Sequence, residues 1–154
     1  MRTLIMVCSS LLLVVVVGCG SGSTVTGKVT FSDGTPLTVG RVVFDDGTTS
    51  AVGELNEKGE YRMRVDAGSG GIPDGSYRVS VVGAMQEDPS LLEEAEKYRD
   101  PRDPDEPSAP LVSLIDLKFS NPAKSGLTCE VSGSTTYDIT VEKPGPDYKP
   151  LSFD

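Results

Sequence analysis

The sequence contains no histidine. That absence removes the usual general base, the commonest zinc ligand and every histidine-containing catalytic triad. Tryptophan is also absent, and aromatic residues make up only 6% of 154 residues, which argues against a platform for stacking sugars or bases. Cysteine is scarce, at positions 8, 19 and 129. Positive charge is scarce too: 14 Lys and Arg stand against 23 Asp and Glu, for a net charge of −9. So acidic a chain repels phosphate backbones and gains nothing from counterion release, so nucleic acid is not an expected partner. What the composition does supply is turn residues, 17 Gly and 11 Pro, in a length suited to one core.

The amino-terminal stretch reads as an address. Met1-Arg2-Thr3 is a short cationic start, and an apolar run from Leu4 to Val17 follows, broken only by Ser9 and Ser10. It is too short to span a bilayer comfortably and fits the hydrophobic region of a secretory signal. A plain signal peptide cleaved nearby, or a short anchor that stays, would both fit this run. Val16-Val17-Gly18-Cys19 at its end resembles a bacterial lipobox. The resemblance implies cleavage before Cys19, a diacylglycerol group on its thiol, and acylation, as by palmitate, of the new amino terminus. The membrane is then a partner through those acyl chains, since two or more chains anchor stably where one does not. Cleavage also removes Arg2 and leaves the mature chain more acidic. Gly20 rather than Asp after the cysteine points, by the same resemblance, to the outer membrane where a cell has two. With Cys8 removed and Cys19 acylated, Cys129 stands alone and no disulfide framework forms.

From residue 25 to 82 the pattern is that of strands. Residues 25–31, 41–45, 49–55, 60–65 and 76–82 carry β-branched or aromatic side chains at period two. Turn residues punctuate them: Asp33-Gly34-Thr35-Pro36, Asp46-Gly47, Asn56 to Gly59, and Pro73-Asp74-Gly75. Gly59 and Gly75 are expected at positive φ. Gly27 and Gly53, inside strands, predict a bulge or a large neighbour such as Phe44 or Tyr61 lying over bare backbone.

These residues carry a resemblance. Val25-x-Gly27-x-Val29, Asp33-Gly34-x-Pro36-Leu37, Val42-x-Phe44, Asn56-x-x-Gly59-x-Tyr61-x-Met63 and Ile72-Pro73-x-Gly75-x-Tyr77-x-Val79 are similar to the carboxypeptidase regulatory-like domain. That resemblance implies an all-β, transthyretin-like Greek-key β-sandwich of about seven strands. The chain also looks like bacterial cell-envelope lipoproteins that carry one such domain behind a lipobox. Ser125-Gly126-Leu127-Thr128 is a further recurring piece of that likeness, with no chemistry attached to it.

Beyond Val82 the pattern changes. Ser90 and Glu93 have capping-box spacing before a short helix over 91–99. Pro101, Pro104 and Pro107 then force an extended acidic loop over 100–107. Order returns at 111–115, and residues 127–131 and 137–141 alternate cleanly, as a closing hairpin around Gly133-Ser134 would. The expected organisation is a lipoprotein signal peptide over 1–18 and a lipidated Cys19 with a flexible tether over 19–24. A sandwich over 25–143 with an insertion over 83–110 follows, and then a carboxy-terminal tail over 144–154.

Candidate sites are few. Cys129 shares a strand face with Leu127 and Val131 and is expected buried and inert. Asp100, Asp103, Asp105 and Glu106 supply the hard oxygen donors that calcium takes, but their spacing lacks the glycine of a calcium loop and three prolines stiffen the path. The Gly-rich stretch from Asp66 to Gly71 has neither the lysine nor the following helix of a phosphate cradle. Glu93-Glu94, Asp45-Asp46 and Asp105-Glu106 are sequence neighbours whose side chains diverge, unlike a glycosidase pair. The expected protein is therefore not an enzyme, uses no cofactor, and serves as a structural module or as one that contacts an envelope protein or polysaccharide. The alternative is a small-ligand or glycan module that uses the 83–110 insertion, with Tyr98, Tyr77 and the acidic loop as its lining.

Overall fold

The computed structural model describes residues 22–65, 71–91 and 111–148. The signal segment, Cys19, the 92–99 part of the expected helix with Tyr98, the 100–107 loop and residues 66–70 lie outside the described residues. So do Asp100, Asp103, Asp105 and Glu106, the four proposed calcium ligands.

Two sheets face each other across one core, so the chain is an all-β sandwich. In the first, β1 (Val25–Phe31) is central: β4 (Glu60–Arg62) pairs antiparallel on one side, and β10 (Thr135–Thr136) with β11 (Ile139–Val141) pairs parallel on the other. The second sheet runs β5 (Arg64–Val65), β3 (Ser50–Glu54), β2 (Arg41–Asp45), β6 (Gly75–Val82), β9 (Leu127–Val131), antiparallel throughout. Period-two alternation explains the core: Val25 and Val29, Val42 and Phe44, Tyr77, Val79 and Val81, Cys129 and Val131, and Ile139 and Val141 are all buried. Phe44 is wholly enclosed, with the rings of Tyr77 and Tyr137 each 5.9 Å away, and its burial contributes about 1.5–3 kcal/mol.

Three local expectations are corrected. Residues 127–131 and 137–141 are not a hairpin: β9 lies beside β6 in the second sheet, while β11 lies beside β1 in the first. The turn through Gly133, at φ 66°, carries the chain between sheets. Both arrangements bury alternate residues, but only this one gives β1 a second neighbour. Residues 60–65 are not a single-sheet strand either. Met63 donates its N–H to Val25 of the first sheet, and Arg64 and Val65 then pair with Val52 and Ala51 of the second. Gly75 does not take positive φ; it opens β6 opposite Val131, and the turn before it is held instead by Asp74.

The sandwich has two distinct ends. At one, Ser23 and Ile72 exchange paired backbone hydrogen bonds, and the Asp74 carboxylate accepts from the Ser23 hydroxyl and from Gly133 N–H. Order thus begins before the expected start of the domain at Val25. At the other end, Leu37, Ala84, Ile115 and Phe119 plug the core. The 83–110 insertion leaves from this second end and contains a strand of its own: β7 (Met85–Glu87) pairs antiparallel with β8 (Leu111–Ser113). Ser113 N–H donates to the Tyr148 hydroxyl at 2.8 Å, so the tail packs against β8.

Candidate functional site

Of the side chains singled out from sequence, Cys129, Asp45, Asp46 and Tyr77 fall among the described residues, and each has a structural role. Cys129 is 4% exposed, and burial, with the Glu130 charge adding to it, pushes its thiol above the usual range. Asp45 accepts from Gly47 N–H, and Asp46 accepts from Thr48 and Thr49 N–H at 2.7 and 2.6 Å. The bonds from Thr49 and Thr48 hold the Asp46 carboxyl below its ordinary value. Both carboxylates therefore shape a turn. Tyr77 is 1% exposed and donates to the Pro73 carbonyl at the end opposite the insertion, so it cannot line a site formed there. Among the described residues no three His, Cys, Asp or Glu side chains gather as metal ligands would.

The structure does build a concavity that sequence reading missed. Where the path β4–β5 passes from one sheet to the other, Tyr61 and Met63 point into the core and Glu60, Arg62 and Arg64 point out. Outward residues from both sheets flank this crossing: Thr26 and Lys28 on β1, Arg41 on β2, Glu54 on β3, and Thr136 and Asp138 from the last strand path. Together with Val52 and Asn56 they line an open groove of about 980 Å³. Tyr61 lies beneath it, its hydroxyl bonded to the Tyr137 carbonyl and its ionisation pushed well up by burial.

The groove joins four cations with three carboxylates on a chain whose net charge is −9. Each carboxylate has a local partner. Asp138 accepts the Lys28 backbone N–H at 2.9 Å, Glu60 accepts from the Asn56 amide at 3.1 Å, and Glu54 stands 4.0 Å from Arg41. The amide, hydroxyl and guanidinium groups offer hydrogen-bond donors at an exposed surface, but no nucleophile–base pair. Arg62 and Arg64, two residues apart in a strand pattern, were the available signal. Their convergence with Lys28 and Arg41 depends on the sheet crossing.

No known protein family and no curated protein matches the chain. Among solved structures it is similar to a DUF3823 family protein from the bacterium Bacteroides ovatus, at 17% identity and a TM-score of 0.41, over 78% of this chain and 44% of that one. It is also similar to a 9R-lipoxygenase from Cyanothece, at 21% identity and a TM-score of 0.33, over 86% of this chain and 18% of that one. The chain thus spans less than half the length of each.

Proposed function

We propose that this chain is a bacterial envelope lipoprotein whose β-sandwich, of the carboxypeptidase regulatory-like, transthyretin-like kind, acts as a non-catalytic structural or interaction module. Acyl chains on Cys19 hold it to a membrane, the outer one where two are present. The observation that carries this reading is the placement of the two ends. Ser23, four residues after Cys19, is fastened to Ile72 and Asp74 at one end of the sandwich, and the 83–110 insertion leaves from the other. An anchor at Cys19 therefore presents the insertion away from the lipid surface. Val39, Leu111 and Leu117 are the large apolar side chains left exposed among the described residues, and all three belong to that outward end.

The test is metabolic labelling with radioactive palmitate, followed by membrane fractionation of the native chain and a Cys19→Ser variant. Label in the membrane fraction that disappears in the variant supports the anchor. A mature chain that is soluble and carries no acyl group defeats it. Cross-linking in intact cells, with mass-spectrometric identification of neighbours, separates an interaction module from a spacer.

A further inference from the structure

We propose that the groove along the β4–β5 crossing binds an anionic polysaccharide, one bearing carboxylate or sulfate groups along an extended chain. This deepens the interaction reading above and is independent of acylation at Cys19. The argument starts from charge. Lys28, Arg41, Arg62 and Arg64 converge on one concave surface of an otherwise acidic protein. Three carboxylates share the surface, Glu60 and Asp138 hydrogen-bonded to Asn56 and to Lys28 N–H and Glu54 beside Arg41, so four cations against three carboxylates leave an excess of one positive charge. Arg62 and Arg64 are exposed and project from the same strand face, about 6–7 Å apart along it at the usual rise per residue. Two planar guanidinium forks so placed suit successive acidic groups of one ligand chain.

The side chains of the groove choose between ligand classes. β4 is hydrogen-bonded to β1 and β5 to β3, and β5 is the edge strand of its sheet but only Arg64–Val65 long, so an acidic peptide has little ladder to extend, and the poly-glutamate arm below tests that mode. What the walls offer is side-chain hydrogen bonding, from Asn56, Thr26 and Thr136, to a ligand rich in hydroxyl oxygens. With Tyr61 buried beneath, there is no exposed ring on which a neutral sugar would stack. Charge and hydroxyl contacts must then supply the affinity.

The experiment measures binding of the intact chain, purified in detergent, to immobilised polygalacturonate, dextran sulfate, unmodified dextran and poly-glutamate. Binding to either anionic polysaccharide, weakened by salt and absent on dextran, is expected. Binding to only one of the two identifies carboxylate or sulfate as the recognised group. An Arg62→Ala/Arg64→Ala double variant should bind about tenfold or more weakly, while Arg78→Ala, outside the groove, should bind as the native chain does. Both sets of side chains are exposed, so folding is preserved and is checked by circular dichroism. No binding to either polysaccharide, equal binding to poly-glutamate, or binding indifferent to the double variant would overturn the assignment. None of these results bears on palmitate labelling, so the two readings fail separately.

Discussion

The Tyr61 hydroxyl donates to the backbone carbonyl of Tyr137 at 2.5 Å, directly above Gly27. That one bond ties β4 to the break between β10 and β11 across the face of β1. A side chain at position 27 would occupy the same space, since a Cβ there would lie 1.9 Å from the Tyr137 oxygen and 2.8 Å from the Tyr61 hydroxyl.

Tyr61→Phe is therefore expected to cost about 1–3 kcal/mol, the loss of a part-buried bond that leaves a carbonyl short of its donor. Gly27→Ala should cost at least as much, because the obstructing atom is backbone and cannot rotate away. Urea unfolding of both variants checks the order. A Gly27→Ala protein as stable as the native one would mean that the two strands do not approach so closely.

Ser125 holds a second junction. Its hydroxyl, buried, donates to the Val79 carbonyl at 2.6 Å and accepts from Leu127 N–H, which seats the start of β9 against β6. Ser125→Ala should lose about 1–3 kcal/mol. Gly126 next to it has φ 70° with open space around it, so Gly126→Ala should lose only the left-handed penalty of about 1–2 kcal/mol. Denaturant midpoints for the two variants, at unchanged slope, measure this.

Acid should weaken the fold through Asp74. The bond from the Ser23 hydroxyl, and then that from Gly133 N–H, hold its carboxyl below the ordinary value of 3.8. A depressed folded-state value gives stability that is present above 3.8 and is lost as pH falls through the folded value. Asp33, Asp46 and Asp88 shift the same way, each chiefly through a hydrogen bond from a nearby serine or threonine. The urea midpoint is expected to stay flat down to about pH 5 and then to decline, less steeply in Asp74→Asn. A decline of equal steepness in the variant would remove Asp74 from this account.

Cys129 should be inert while the protein is folded. Its side chain is enclosed and its thiol is pushed toward the protonated form, so little thiolate meets a reagent. Labelling by a disulfide reagent is expected to be slow in buffer and complete in denaturant. Rapid labelling in buffer would contradict the packing of β9.

The strand pattern was legible because each strand buries one face, and the alternation of Val42 with Phe44, or Tyr77 with Val79, specifies that face without reference to neighbours. Which strands become neighbours is another matter. Cys129 and Val131 face the core from one sheet, Ile139 and Val141 from the other, and their spacing in sequence suits a hairpin equally well. The crossing at Met63 was hidden for the same reason, since alternation continues unbroken through it. The cationic groove went unread with it: Lys28 and Arg41 belong to different sheets and share a surface only because the path through Arg62 and Arg64 joins them. Gly27 was legible as a close approach, although the partner was a hydroxyl and a carbonyl together.

β1 lies at the middle of its sheet and takes its parallel neighbour from the last strand path, with Lys28 and Asp138 joined across 110 positions. A nascent chain delivered amino end first must therefore carry β1 half-zipped until residues 135–141 have emerged. Pairing over such a span is slow, and until it closes β1 offers an open edge to any other polypeptide nearby. Chains cut short before Ile139 would accordingly clump rather than fold into a smaller version of the domain.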